Sequence, residues 1–223
     1  MSNIKESLLR FRKSVQPQAT LVAVSKTKPV SDLEVAYEAG QRHFGENKIQ
    51  EMTDKWETMS KDIHWHMIGH TQRNKVKYMA PYVHLIHSVD SPRLLKEINK
   101  QAKKNDRVID CLLQIHIAQE DSKFGFDEEE LIALLNDEAF KEYKNVQIKG
   151  LMGMATFTEN KKQVREEFQS LATTFKKIKE DHLLSSRHNF TELSMGMTGD
   201  YEIALEEGST MVRIGSAIFG SRN

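Results

Sequence analysis

Short runs of β-branched and apolar residues alternate with longer, charged stretches of helical period along the whole chain. This alternation constrains the fold more than any other feature. The strand-like runs are Thr20–Lys26, His43–Asn47, Ile63–Gly69, Val83–Val89, Val108–Ile117, Val146–Ala155, Phe190–Gly196 and Met211–Ala217. Between them lie amphipathic stripes: Leu33, Ala36 and Tyr37; Leu94, Leu95 and Ile98; Leu131, Leu134 and Leu135; and Val164, Phe168, Leu171, Phe175 and Ile178, each spaced to bury one helical face. Start signals precede several of them, at Ser31-Asp32, Ser91-Pro92 and Asp127. Gly40 and Gly208 stand where C-terminal caps belong.

Strict strand–helix alternation gives right-handed βαβ units and a parallel sheet. An open doubly wound sheet and a closed barrel both satisfy it. The run count matches the eight strands of a (β/α)8 barrel, and no G-x-G-x-x-G follows the first strand. A chain of 223 residues is also long enough for a small barrel. The expected fold is therefore α/β: a single TIM-type barrel spanning residues 1–223 as one domain. Ile4, Leu8, Phe11 and Val15 add an extra N-terminal helix.

Composition narrows the function classes. Lys+Arg and Asp+Glu both number 32, so the chain lacks the basic excess of a nucleic-acid binder. A single cysteine cannot form an internal disulfide, which points to a reducing, cytoplasmic setting. The N-terminus has charges every few residues and no signal-peptide core. The longest apolar runs are too short to span a bilayer. Helices rich in Lys and Glu fit a monomer.

A barrel places its site at the C-terminal ends of the strands, with phosphate often held after strands seven and eight. At the end of strand one, Val22, Val24, Lys26 and Lys28 share one face. An inward Lys26 beside valines loses hydration, which favours the neutral, nucleophilic amine. The alternative is a strand-end lysine reaching solvent. Strand seven ends SMGMTGD, with Ser194, Gly196, Thr198 and Gly199; strand eight ends RIGSAIFG, with Gly215, Ser216 and Gly220. Small residues and hydroxyls there let backbone N–H groups approach an anion. Taken singly, such glycines are also ordinary turn residues.

Arg213 lies between Val212 and Ile214, so an inward guanidinium needs an acceptor: an acidic side chain or a ring nitrogen of a bound heterocycle. His64 and His66 share a face of strand three, and His84 and His87 frame strand four. No strand-end carboxylates accompany them, and structural histidines are the favoured reading over a metal centre. Cys111 reads as core. In LMGMA, core lining is favoured, with Met154 placed to touch a ligand ring.

AVSKTK with Lys26, HFGEN with Asn47, WHMIGH followed by QRNK, HSVD with Ser88, GLMGMA with Met154, LSMGMTGD and VRIGSAIFG occur in this order. Together they resemble the pyridoxal-phosphate homeostasis protein family, which is related to the N-terminal barrel of alanine racemase. The resemblance runs from about Thr20 to Gly220. It implies pyridoxal 5′-phosphate held as an aldimine on Lys26, with its phosphate near Ser194, Gly196, Gly215 and Ser216. It also implies Arg213 facing the pyridine nitrogen and Asn47 in the pocket wall. Thr71 and Thr198 depart from the usual leucine and serine of the family.

An arginine opposite the ring nitrogen discourages its protonation and leaves a weak electron sink. Racemases of this kind take a tyrosine base from a second domain, which a chain ending at Asn223 leaves no room for. The expected function is cofactor buffering or delivery, with apo pyridoxal-phosphate enzymes as partners and little or no catalysis. The alternatives are a pyridoxal-phosphate-dependent amino-acid racemase and, further off, a metal-dependent barrel hydrolase using His64 and His66.

Overall fold

The computed structural model describes residues 3–119, 124–181, 183–185 and 188–220. Eight strands form a closed barrel in sequence order: β1 (Thr20–Val24), β2 (His43–Glu46), β3 (His64–Met67), β4 (Leu85–Val89), β5 (Ile109–Gln114), β6 (Val146–Met152), β7 (Glu192–Ser194) and β8 (Met211–Ile214). All pairs are parallel, and β1 closes on β8 from Thr20↔Met211 to Ala23↔Ile214. Every expected strand is present, and each is shorter than its apolar run. Lys26 and Asn47 thereby fall in the loops after β1 and β2 rather than on the strands.

The helices are α1 (Asn3–Val15), α2 (Val30–Glu38), α3 (Ile49–Thr58), α4 (Val76–Met79), α5 (Pro92–Lys104), α6 (Glu128–Asn136), α7 (Glu138–Lys141), α8 (Lys161–Glu180), α9 (Tyr201–Glu206) and α10 (Ser216–Phe219). Their apolar stripes bury against the outside of the barrel. Ser91 caps α5, and Asp127 with Glu130 forms a capping box on α6. The Ser31-Asp32 start signal is displaced: α2 begins at Val30 behind Pro29, with no side-chain cap. No helix among the described residues is long and apolar enough to cross a membrane.

Inside the barrel, Val22, Leu85, Leu112, Met152 and Met211 form a small apolar cluster of their own, with Met154 packed against it. Cys111 is buried in the outer core, as expected, and burial pushes its thiol pKa up. At Gly150 the β6 backbone presses on β7: a Cβ there would sit 1.6 Å from the Glu192 carbonyl oxygen. Only glycine fits that approach.

Beside the apolar cluster runs a file of imidazoles. His64 Nδ1 meets His43 Nε2 at 3.4 Å, His43 Nδ1 meets His66 Nε2 at 2.9 Å, and His66 Nδ1 meets His87 Nε2 at 2.9 Å. His87 Nδ1 then meets Ser194 Oγ at 3.0 Å. β4 and β7 are not neighbours, so this last bond crosses the lumen. Burial drives the pKa of His66 and His87 well down, aided for His66 by the other rings and for His87 by Arg213. Burial, with repulsion from His64, also lowers His43 and His84 to about 4.

Two predictions follow from this interior. Gly150→Ala should destabilise the barrel by ~3 kcal/mol or more, read as a fall in Tm or loss of soluble protein. His43, His66, His84 and His87 protonate in the unfolded chain below about pH 6.5 and stay neutral in the folded one, so unfolding takes up protons. Stability is therefore complete above that pH and is lost as pH falls towards the depressed folded values. Burial raises Glu46 and Asp110, which act in the opposite sense at lower pH. Denaturant melts should show stability falling between pH 7 and 5; a flat profile would mean the file is not held neutral.

Candidate functional site

A cavity of about 820 Å³ opens at the C-terminal ends of the strands. Lys26, Asn47, Met154, Arg213, Gly215 and Ser216 all line it. They come from the ends of β1, β2, β6 and β8, so the barrel brings together residues far apart in sequence. Ile68, Thr156 and Phe157 line it too; nothing in their residue types marked them in the sequence. Phe157 stands at the rim, 97% exposed.

Lys26 is half-buried in a turn pinned on both sides. Before it, the buried Ser25 hydroxyl donates to Glu46 Oε1 at 2.6 Å, and Lys55 Nζ donates to the Ser25 carbonyl at 2.9 Å. After it, the Thr27 N–H donates to Glu51 Oε1 at 2.6 Å. Thr27 holds a left-handed backbone, φ 64°. Lys55 also bonds Glu46 and Glu51, each at 2.7 Å. Burial raises the Glu46 carboxyl pKa, and the Lys55 ammonium opposes that rise. This buried cluster sets the course of the chain through Lys26. Its one signal in the sequence was the Glu51–Lys55 spacing of four along a helix.

Arg213 is 4% exposed. Its Nη1 donates to the Ser194 carbonyl at 2.9 Å and to Ser194 Oγ at 2.6 Å, and its Nη2 donates to the Gly153 carbonyl at 3.0 Å. Every one of these acceptors is neutral, so of the two acceptors considered from the sequence, an acidic side chain is not the one that holds it. Burial pulls its pKa down to about 10, with Asp200 working against that shift. The group remains a cation at neutral pH, fixed from below and facing the cavity.

Ser194 and Gly196 are placed differently from the anion-binding role expected of them. Neither lines the cavity. Ser194 is fully buried beneath it, its hydroxyl spent on Arg213 and His87. Gly196 is buried and backs onto α9, where a Cβ would meet that of Ala204 at 2.6 Å. The segment after β7 that does reach the cavity is Met197–Gly199 and Asp200. The Met197 N–H donates to Asp200 Oδ1 at 2.5 Å, which ties the carboxylate into its own turn. After the neighbouring strand β8, Gly215 caps the short turn of α10, which Ser216 begins.

Asn47 is positioned by close backbone contact: a Cβ on Gly69 would lie 2.5 Å from the Asn47 carbonyl oxygen. The departures at Thr71 and Thr198 are both accommodated. Thr71 is buried with its hydroxyl 3.0 Å from that of Ser88, and Thr198 lines the cavity. The histidines do gather, with His43, His64 and His84 at the N-terminal ends of their strands. They lie at the mouth opposite the cavity and give no support to a hydrolase centre there.

The family described as alanine racemase, N-terminal domain, matches residues 1–223. The pyridoxal phosphate homeostasis protein of Aquifex aeolicus (strain VF5) is 40% identical over 92% of this chain and 87% of its own. That of Escherichia coli (strain K12) is 34% identical over 100% of this chain and 98% of its own. Among solved structures, PipY of Synechococcus elongatus PCC7942 without PLP superposes with a TM-score of 0.90, at 34% identity over 97% of this chain and 100% of that one. The same protein with PLP bound gives 0.88 at 33% identity over the same shares. Alanine racemase from Bartonella henselae, 15% identical, shares the fold alone, with a TM-score of 0.73 over 98% of this chain and 58% of the racemase. The chain therefore belongs to the alanine racemase N-terminal domain family and, within it, to the pyridoxal phosphate homeostasis proteins.

Proposed function

We propose that this chain binds pyridoxal 5′-phosphate in the cavity at the C-terminal mouth and serves intracellular pyridoxal phosphate homeostasis. The observation that carries the reading is the convergence of Lys26, Arg213 and the two Gly/Ser segments on one cavity. Its size suits a small cofactor. The donor set suits the group as well: one amine, one immobilised cation, and hydroxyls at Thr198 and Ser216 beside open backbone at Gly199, whose missing Cβ would meet nothing within 4 Å. The relatives named as homeostasis proteins, and the PLP-bound relative at 33% identity, support it.

When bound, the cofactor supplies an aldehyde that condenses with a primary amine. Lys26 supplies that amine, held in place by the Ser25 and Thr27 contacts. Thr198, Gly199, Gly215 and Ser216 take the phosphate, while Asn47 and Met154 form the wall. Arg213, positive and anchored by Ser194 and Gly153, would face the ring nitrogen of the bound cofactor and would keep a proton off it. Without that proton the ring accepts electrons poorly, so catalysis is little or none. Buffering of the cofactor, or its delivery to apo enzymes by a cytoplasmic monomer, is the role that remains.

Borohydride reduction of the loaded protein followed by peptide mapping should place a pyridoxyl group on Lys26, and Lys26→Ala should abolish it. An adduct elsewhere, or sustained racemisation of an amino acid by the pure protein, would overturn the reading. Arg213→Glu should raise the proton affinity of the ring nitrogen and change the absorption spectrum of the bound cofactor. Ser194→Ala should keep the adduct on Lys26 but cost about 1–3 kcal/mol of stability, measured by denaturant melts, because Arg213 and His87 both lose a partner.

A further inference from the structure

We propose that His43, His66 and His84 form a binding site for one divalent transition-metal ion of the zinc class at the N-terminal mouth of the barrel. One ring nitrogen of each lies within 4.8 Å of the other two. The three rings come from β2, β3 and the residue preceding β4, so their backbones are fixed by adjacent strands of one sheet. His84 is itself tied to that sheet by its N–H, which donates to the Trp65 carbonyl at 2.9 Å.

The ligand chemistry selects the ion. Imidazole nitrogens with no carboxylate among them suit Zn²⁺, Ni²⁺ or Cu²⁺, and suit Mg²⁺ and Ca²⁺ poorly. Three histidines leave a fourth position for water. The rings are neutral at physiological pH, because burial and mutual repulsion hold their pKa values down. A metal therefore displaces no proton from a charged ligand. Arg107 and Lys149 lie near His84 and disfavour a cation, while Asp110 and Glu192 on the same rim offset them.

The surroundings of the ligands are already built. Metal-bound histidines are oriented through their second nitrogen. Here His66 is held through Nδ1 by His87, and His87 in turn by Ser194. His43 is held through its second nitrogen by His64, and His84 stacks on His64 with centroids 4.2 Å apart and planes 11° apart. His43 Nδ1 and His66 Nε2 are now 2.9 Å apart around a shared proton. Ligands at about 2.0–2.1 Å in tetrahedral geometry stand roughly 3.3 Å apart, so a small opening of that pair admits the ion. His64 is exposed and gives it a path from solvent, past a His84 ring that is packed among its neighbours on one side and open on the other.

The test uses untagged, full-length, cofactor-loaded protein titrated calorimetrically with ZnCl2 and, separately, NiCl2. One equivalent should bind, and X-ray absorption should show three imidazole nitrogens on the metal. His84→Asn and His43→Gln should each weaken binding at least tenfold. His70→Asn, which changes the exposed ring paired with Asp90, should leave it unchanged. The borohydride adduct on Lys26 should persist in all three variants, which keeps this test separate from that of the cofactor site. No stoichiometric binding by the parent protein, an oxygen-only shell, or binding lost with His70 rather than His84 would overturn the proposal.

Discussion

A buried guanidinium held by neutral oxygens alone organises the centre of this protein. Arg213 carries its charge into the barrel interior, where it is 4% exposed, and an unpaired ion there would be very costly. The barrel meets that cost with two carbonyls and one hydroxyl, drawn from β7 and from the residue after β6. Those three bonds fix the direction of the group towards the cavity. A carboxylate partner would have neutralised it. Neutral acceptors leave the positive charge available to whatever occupies the cavity above.

The amine after the neighbouring strand β1 is fixed by different means. Lys26 gains its position from Ser25 and Thr27, its neighbours in sequence, which are fastened to α3. The buried face of α3 carries Lys55 along with Ile49 and Met52. A lysine on that face looks like an error of patterning until its partners are seen. It bonds Glu46, Glu51 and the Ser25 carbonyl at once. A group acting on a small ligand must be held to within a fraction of an ångström, and a hydrogen-bonded cluster beneath a turn does so where a loop alone would not.

This explains what was legible beforehand. The eight strands and the helices α5, α6 and α8 follow from periodicity, because apolar residues dominate their buried faces, with Gln101 on α5 and Glu167 on α8 as the polar exceptions. The helix α3 escaped that reading, since Lys55 interrupts its stripe. Lys26, Gly215 and Ser216 were singled out because the barrel rule says where to look, and Arg213 because a charge between Val212 and Ile214 needs a partner; all four line the cavity at the C-terminal mouth. Ser194 was identified as a site residue and given the wrong task. Its place at a strand end suggested a ligand, whereas the pleat turns its side chain into the lumen, where a hydroxyl was needed for Arg213. The joining of four histidine rings and one serine into a single file depends on which strands face each other across the lumen. Sequence order does not show that.

The file also has a direction. A guanidinium only donates, so Ser194 Oγ accepts from Arg213, and the one hydroxyl proton of Ser194 has His87 Nδ1 as its acceptor. Each neutral ring then passes the polarity on: His87 Nε2–H to His66 Nδ1, and His66 Nε2–H to His43 Nδ1. A cation on His66 Nε2 would remove the bond to His43 and move the ring proton to Nδ1, which would then donate to His87 Nε2, turn His87 Nδ1–H towards Ser194 and leave the Ser194 proton without that acceptor. The charge at one mouth and the occupancy of the other are thus linked through three side chains. The linkage is reciprocal: whatever strengthens the bond from Ser194 to His87 opposes a metal at the base, and a metal at the base loosens the anchor of Arg213.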